Sequence, residues 1–255
     1  MRAAGILLPI QSIPRGDAPG SLREASIRAI DAFASFGIGV WQILPLNPPD
    51  FVGSPYASPS AFAMDPELLH DLAGDVRDPS RYDLDAWLEN SGWADSWALF
   101  RILKSIDPRS WVKWGSWSNP TGRDLDRLRS DNEEHYWREI TIQWKLEYAM
   151  RSIENHAREN GILMLGDIPL YVAHDSADIW HSKELFNIGP NGEPLERSGA
   201  PPDSFNPLGQ LWGNPTYAWS AHQKSGYAWW KKRVETASRR TPGIRIDHFI
   251  GLAEY

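Results

Sequence analysis

The chemical promise of this 255-residue chain lies near its C-terminal end, in Gly243-Ile-Arg-Ile-Asp-His-Phe249. The segment reads as a short strand. Side chains alternate along a strand, so Ile244 and Ile246 share one face while Arg245 and Asp247 share the other. A fixed guanidinium beside a carboxylate favours the ionised form that a nucleophile requires. His248 follows where the strand gives way to loop. A structural ion pair at a strand end has the same residue pattern, so the choice between the two readings depends on the elements that hold the segment.

Those elements are short apolar runs separated by helical patterns. Gly5-Ile-Leu-Leu-Pro-Ile10 is bounded by Gly and Pro and predicts a buried strand. Ser21 with Glu24 has the form of a capping box, and Ala25, Ala29, Phe33 and Phe36 supply the apolar face of a helix ending at Gly37. Gly39 to Leu46 predicts a second buried strand, completing a βα unit within residues 5–46. A proline-rich loop covers residues 47–70. Helical patterns follow from Leu84 to Ile106 and then, with Ser130 and Glu133 as a capping box, along Trp137, Ile140, Trp144 and Tyr148 to Gly161. Ile162-Leu-Met-Leu165 predicts a third strand, running into Gly166-Asp167. Residues 173–222 read as mostly loop. A helix near residues 227–239, with Trp230 and Val234 inward, leads to the fourth strand at Gly243.

The expected fold is therefore α/β: about the first four βα units of a (β/α)8 barrel. Residues 1–50 and 160–255 would form the barrel part, and 51–159 a mostly helical insertion between the second and third strands. Active sites in such barrels sit at the C-terminal ends of the strands, where Asp167 and Asp247 fall.

Composition narrows the classes. With 42% apolar and 23% charged residues the chain is ordinary globular material. A net charge of −7 argues against nucleic acid as partner. No stretch approaches the roughly 20 apolar residues of a membrane span, and the N-terminal run is too short for a signal peptide. The absence of cysteine permits a cytoplasmic location and removes thiolate metal sites. His174, Asp175 and Asp178 read as a solvated loop capping a helix rather than a metal cluster. The 14 tryptophans suit ligands that are half apolar and half wet, such as sugars. Most are nonetheless expected in the core, Trp111, Trp114 and Trp117 among them.

Six blocks in order make the reading specific: Val40-Trp-Gln-Ile-Leu-Pro-Leu46, Ser54-Pro-Tyr-Ala-Ser-Pro-Ser-Ala-Phe-Ala63, Gly166-Asp-Ile-Pro-Leu-Tyr-Val172, Ala200-Pro-Pro-Asp-Ser-Phe205, Gly209-Gln-Leu-Trp-Gly-Asn-Pro215 and Arg245-Ile-Asp-His-Phe249. Together they resemble the 4-α-glucanotransferases (amylomaltases, or disproportionating enzymes), relatives of the α-amylases with a TIM-barrel fold. The resemblance implies retaining transfer of α-1,4-glucan segments between maltooligosaccharides, without cofactor or metal. It makes Asp247 the nucleophile and Arg245 its partner. Tyr56 matches an aromatic under the sugar at the cleavage point, and Asp167 a polar group near that sugar. Asp203, Gln210, Trp212 and Asn214 fall on a loop draped over the glucan, and His248 should reach sugar hydroxyls. An α-amylase-type hydrolase and a non-catalytic glucan-binding fragment are the alternatives.

The sequence departs from the family pattern in three places. Ser12-Ile-Pro-Arg-Gly-Asp17 lacks the family's Gly-rich loop. Met64-Asp65 replaces a Gly-Asn pair. The family's acid/base Glu and a further Asp belong to later strands, so this chain is expected to hold one catalytic carboxylate of the two that retaining chemistry needs. Glu254 is no substitute. The chain alone is expected to be inactive and to pair with a C-terminal half.

Overall fold

A computed structural model describes residues 3–50, 53–202, 204 and 206–252. In chain order the elements are β1 (Ala4–Leu7), α1 (Ser21–Ser35), β2 (Ile38–Gln42), α2 (Leu69–Ala73), α3 (Arg81–Leu88), α4 (Trp93–Ile106), α5 (Gly122–Asp131), α6 (Glu133–Glu159), β3 (Leu163–Ile168), α7 (Ala177–His181), β4 (Arg197–Ala200), β5 (Gln210–Pro215), α8 (Trp219–Lys224), α9 (Ala228–Arg240) and β6 (Gly243–Ile246). The strands β1, β2, β3 and β6 lie side by side in that order, every pair parallel. This is the βα succession of a barrel's first strands. β4 and β5 form a separate antiparallel pair.

The core explains the order. Trp41, Ile43, Met164 and Ile168 are buried from the central strands. α6 packs on β3, α1 and α9, and also on α2, α3, α4 and α5. One continuous apolar cluster runs through them. Trp111 and Trp114 are buried in it, each indole N–H satisfied by a backbone carbonyl, of His174 at 2.8 Å and of Asp107 at 3.0 Å. No helix among the described residues is long and apolar enough to cross a membrane.

Several local expectations are corrected. β1 is not buried: among the described residues it pairs with β2 alone, and Leu7 is exposed. Ser21 is not a cap. Gly20, at φ +75°, precedes the helix, and the Ser21 hydroxyl donates back to the Gly16 carbonyl at 2.6 Å. Ser130 lies inside α5, so α6 starts after Asn132 without a capping box. The boxes that do form are Ser80 with Asp83 and Thr121 with Asp124, each with aspartate at the third helical position. Val234 points outward, because the buried positions of α9 are Trp230, Arg233, Thr236 and Arg240. The stretch 173–222 is mostly loop, as expected, but it also holds α7, the start of α8 and the β4–β5 hairpin, which the sequence did not announce. The segment 174–178 is not solvated. Asp175 pairs with Lys104 and accepts the Trp111 N–H at 3.1 Å, His174 Nε2 contacts the Gly192 carbonyl at 2.7 Å, and Asp178 is buried.

Candidate active site

The C-terminal ends of β3 and β6 bring two carboxylates to one guanidinium. The register pairs Asp167 with Arg245 across the strands. Arg245 Nη1 donates to both oxygens of Asp167, at 2.7 and 2.6 Å, and Nη2 donates to Asp247 Oδ1 at 2.5 Å. The Asp247 N–H donates to the Ile168 carbonyl at 3.0 Å, carrying the ladder one residue past β6. The chain then turns at His248, whose φ is +47°.

Tyr56 comes from a different direction, on a short 3₁₀ turn at Pro55–Ala57 capped by the Ser54 hydroxyl. Its hydroxyl donates to Asp167 Oδ2 at 2.8 Å. Burial first, and then that bond, push the phenol well above its ordinary pKa, so it stays a proton donor. The Asp167 bond is the largest cause holding Arg245 above its ordinary value, so the guanidinium remains a fixed cation. Asp167 thus spends its oxygens on Arg245 and Tyr56. Asp247 differs, with Oδ1 anchored and Oδ2 toward His248 Nε2 at 3.8 Å.

The β4–β5 hairpin supplies the opposite wall. Trp212 lies with its ring centroid 4.5 Å from that of His248, and its indole N–H donates to Gln210 Oε1 at 3.0 Å. Tyr171, just past β3, sits 6.4 Å from Trp212 and stacks on Tyr217 at 5.6 Å. Between these walls is an open cleft of about 380 Å³, lined by Tyr56, Asp247, His248, Gln210, Trp212, Asn214 and Tyr171, with Asp50, Ser54, Ala57 and Leu170 completing it.

Six of the residues named from sequence therefore meet at one cleft: Tyr56, Gln210, Trp212, Asn214, Asp247 and His248. Arg245 and Asp167 are absent from its lining and act on it through Asp247 and Tyr56. Asp203 lies outside the described residues. Sequence reasoning missed Tyr171 and Asp50. Tyr171 stands in the Gly166–Val172 block, four residues after Asp167, which was the available signal.

The cleft thus combines aromatic faces with an anchored carboxylate at its floor. The sequence matches the 4-alpha-glucanotransferase family over residues 8–76 and 70–255. The chain belongs to that family. It is 32% identical over 294 aligned positions to the 4-alpha-glucanotransferase of Aquifex aeolicus, covering all of this chain and 61% of that one. It is 31% identical to that of Synechocystis, again over its full length and 60% of the relative. The chain thus spans about three-fifths of the curated relatives it matches. Among solved structures, the amylomaltase from Streptococcus agalactiae in complex with acarbose superposes with a TM-score of 0.88 at 25% identity, over 98% of this chain and 60% of that one. The amylomaltase of Corynebacterium glutamicum shares the fold, with a TM-score of 0.72 at 17% identity over 98% of this chain and 41% of that one. The glucanotransferase family accounts for the half-barrel order β1-β2-β3-β6.

Proposed function

We propose that this protein serves transfer of α-1,4-glucan segments between maltooligosaccharides by retaining double displacement, with Asp247 as nucleophile. The observation that supports this most is the unequal treatment of the two carboxylates on Arg245. Asp167 is locked on both oxygens, whereas Asp247 keeps Oδ2 at the cleft. In the first step Oδ2 bonds to the anomeric carbon, and the glycosidic C–O bond breaks. The departing 4-oxygen takes a proton from a carboxylic acid. In the second step the 4-hydroxyl of an acceptor glucan attacks the same carbon. The bond to Asp247 breaks, and the acceptor's proton goes to the conjugate base. Tyr56, His248 and Trp212 are assigned to the sugar at the floor, and Gln210 and Asn214 to its hydroxyls. Asp203 is assigned to the glucan from its sequence block alone. Asp167 is engaged by Arg245 and Tyr56, so we assign the acid to a carboxyl outside the described residues. That carboxyl would come from a C-terminal half of the barrel acting as partner.

The domain reading, barrel from 1–50 and 160–255 with 51–159 inserted, and a cytoplasmic location belong to the same proposal. The test of the reaction is incubation of the chain, together with the C-terminal half that we propose as its partner, with maltotriose. A ladder of longer glucans supports transfer, and glucose with maltose alone would replace it by hydrolysis. The isolated 255-residue polypeptide should bind maltoheptaose without turnover; measurable transglycosylation by the pure polypeptide would overturn the assignment of the acid.

A further inference from the structure

The residues from Ser58 to Asp65 form no helix or strand, yet many of their backbone groups are bonded to distant parts of the chain, while the Ser60, Phe62 and Ala63 N–H groups are taken by the Ser58 and Ser60 hydroxyls. The Ser58 and Pro59 carbonyls accept the N–H groups of Ala173 and Ala177, both at 2.9 Å. The Ala61 N–H donates to Asp178 Oδ2 at 2.8 Å. The Phe62 carbonyl accepts from Arg240 Nη1 at 2.7 Å. The Met64 N–H and carbonyl are both taken by the Gln143 side-chain amide, each at 2.9 Å, as a strand neighbour would take them. Gln143, Asp178 and Arg240 are buried and come from three helices, α6, α7 and α9.

None of these three lines the cleft. Arg240 is also poorly rewarded for its burial. Its Nε and Nη2 have no hydrogen-bond partner, and Glu147 is 3.9 Å away. A buried guanidinium with two nitrogens unbonded is costly to the fold, so its one close bond, to Phe62, stands out. The segment begins immediately after the 3₁₀ turn that carries Tyr56.

We propose that Gln143 and Arg240 are positioning residues that fix the Tyr56 ring at the cleft by gripping the Phe62–Met64 backbone. This rests on the reading of Tyr56 as the ring that meets sugar. Loosening the grip lets the turn at 55–57 shift relative to β3, so the ring loses its alignment while the cleft's other walls stay in place.

The test is a double-mutant cycle on the 255-residue protein, with maltoheptaose binding read by tryptophan fluorescence. Gln143→Leu should weaken binding about tenfold, and in a Tyr56→Ala background the same change should have almost no effect. An equal loss in both backgrounds would assign Gln143 a general structural role and sink the proposal. Arg240→Met should behave like Gln143→Leu, and Arg240→Lys, which keeps a donor for Phe62, should restore much of the affinity. Failure of the lysine variant to do so counts against the proposal. A second readout is independent of glucan. In 3-fluorotyrosine-labelled protein, the Tyr56 fluorine resonance (assigned with Tyr56→Phe) should shift or broaden in Gln143→Leu while the Tyr171 resonance holds. An unmoved Tyr56 resonance overturns the positioning role even if binding weakens. A wild type that binds no maltoheptaose rejects the glucan reading and leaves the fluorine experiment to decide the positioning.

Discussion

Replacing Arg245 by methionine should destabilise the protein chiefly through Asp167, not through Asp247. The Asp167 side chain has no exposed surface, and Arg245 supplies two of its three short hydrogen bonds, with Tyr56 giving the third. Removing one member of a buried ion pair costs about 3–5 kcal/mol, because the remaining charge is stranded. The Arg245 side chain is 41% exposed, so water screens the pair and takes over part of its role. That brings the expected loss down to about 2–3 kcal/mol. For a chain of this size the loss corresponds to a fall in Tm of about 5–10 °C. The mechanism makes a sharper claim about the pair. In Asp167→Asn the stranded charge no longer exists, so adding Arg245→Met should cost about 1 kcal/mol or less, leaving a coupling of about 2 kcal/mol. Thermal unfolding at pH 7, followed by circular dichroism for the four proteins, measures both numbers. An Arg245→Met protein melting within 2 °C of wild type, or strict additivity with Asp167→Asn (about 0.5 kcal/mol or less of coupling), would refute the reasoning.

Three further outcomes follow from the geometry. Burial pushes the Asp178 carboxyl up to about 6, against the bond from Ala61 and the charge of Arg233. Between its unfolded value and 6 the folded protein keeps a proton that the unfolded chain releases, so this group's contribution to stability falls as pH rises through that window. Asp178→Asn should therefore gain stability relative to wild type as pH climbs from 4 to 6, and parallel Tm curves across that range would refute this. A methyl group at Gly199 would lie 2.3 Å from the Gln210 carbonyl oxygen, a backbone atom. Gly199→Ala should cost about 1–3 kcal/mol and speed hydrogen exchange along Gln210–Pro215; unchanged exchange would show that the hairpin absorbs it. Trp212→Ala removes the ring packed 4.5 Å from His248 and should weaken maltoheptaose binding about tenfold. An unchanged Kd would take Trp212 out of the glucan's path.

What could be read from the sequence was whatever local pattern dictates. The strands around Trp41 and Met164 announced themselves as apolar runs, and alternation put Arg245 beside Asp247. The bond from Arg245 to Asp167 was not legible, because it depends on the register of β6 against β3, a relation between segments 78 positions apart. The β4–β5 hairpin was hidden for a different reason. Gly213, Asn214 and Pro215 within β5 are poor strand formers, and the register of the pair is irregular between Arg197 and Gly199. In α9 the usual reading inverted. Arg233 and Arg240 take buried positions because carbonyls of Pro169, Leu170 and Phe62 await them there, while apolar Val234 is left outside.

The same long-range bonds decide what Arg245 does for Asp247. Were Arg245 free, a carboxylate nucleophile would have to hold its own partner in place and would reorient as charge leaves it in the transition state. Here Asp167 fixes the guanidinium by a two-oxygen contact, Tyr56 fixes Asp167, and the Asp247 backbone is tied to Ile168. Asp247 thus meets a donor whose direction is set by β3, so if Asp247 is the nucleophile, as we propose, little reorganisation would remain when its charge is consumed by bond formation and restored on transfer. Preorganised donors contribute to catalysis because they need no reorganisation at the moment of reaction. The consequence separates the two carboxylates. In the chain joined to the C-terminal half that we propose as its partner, Asp167→Asn should damage the reaction by loosening Arg245 while leaving a nucleophile in place, so ladder formation from maltotriose should slow but persist. On the proposal that Asp247 is the nucleophile, Asp247→Asn in the same joined halves removes the carboxylate that would form the bond, so ladder formation should stop; equal rates for the two variants would refute the distinction.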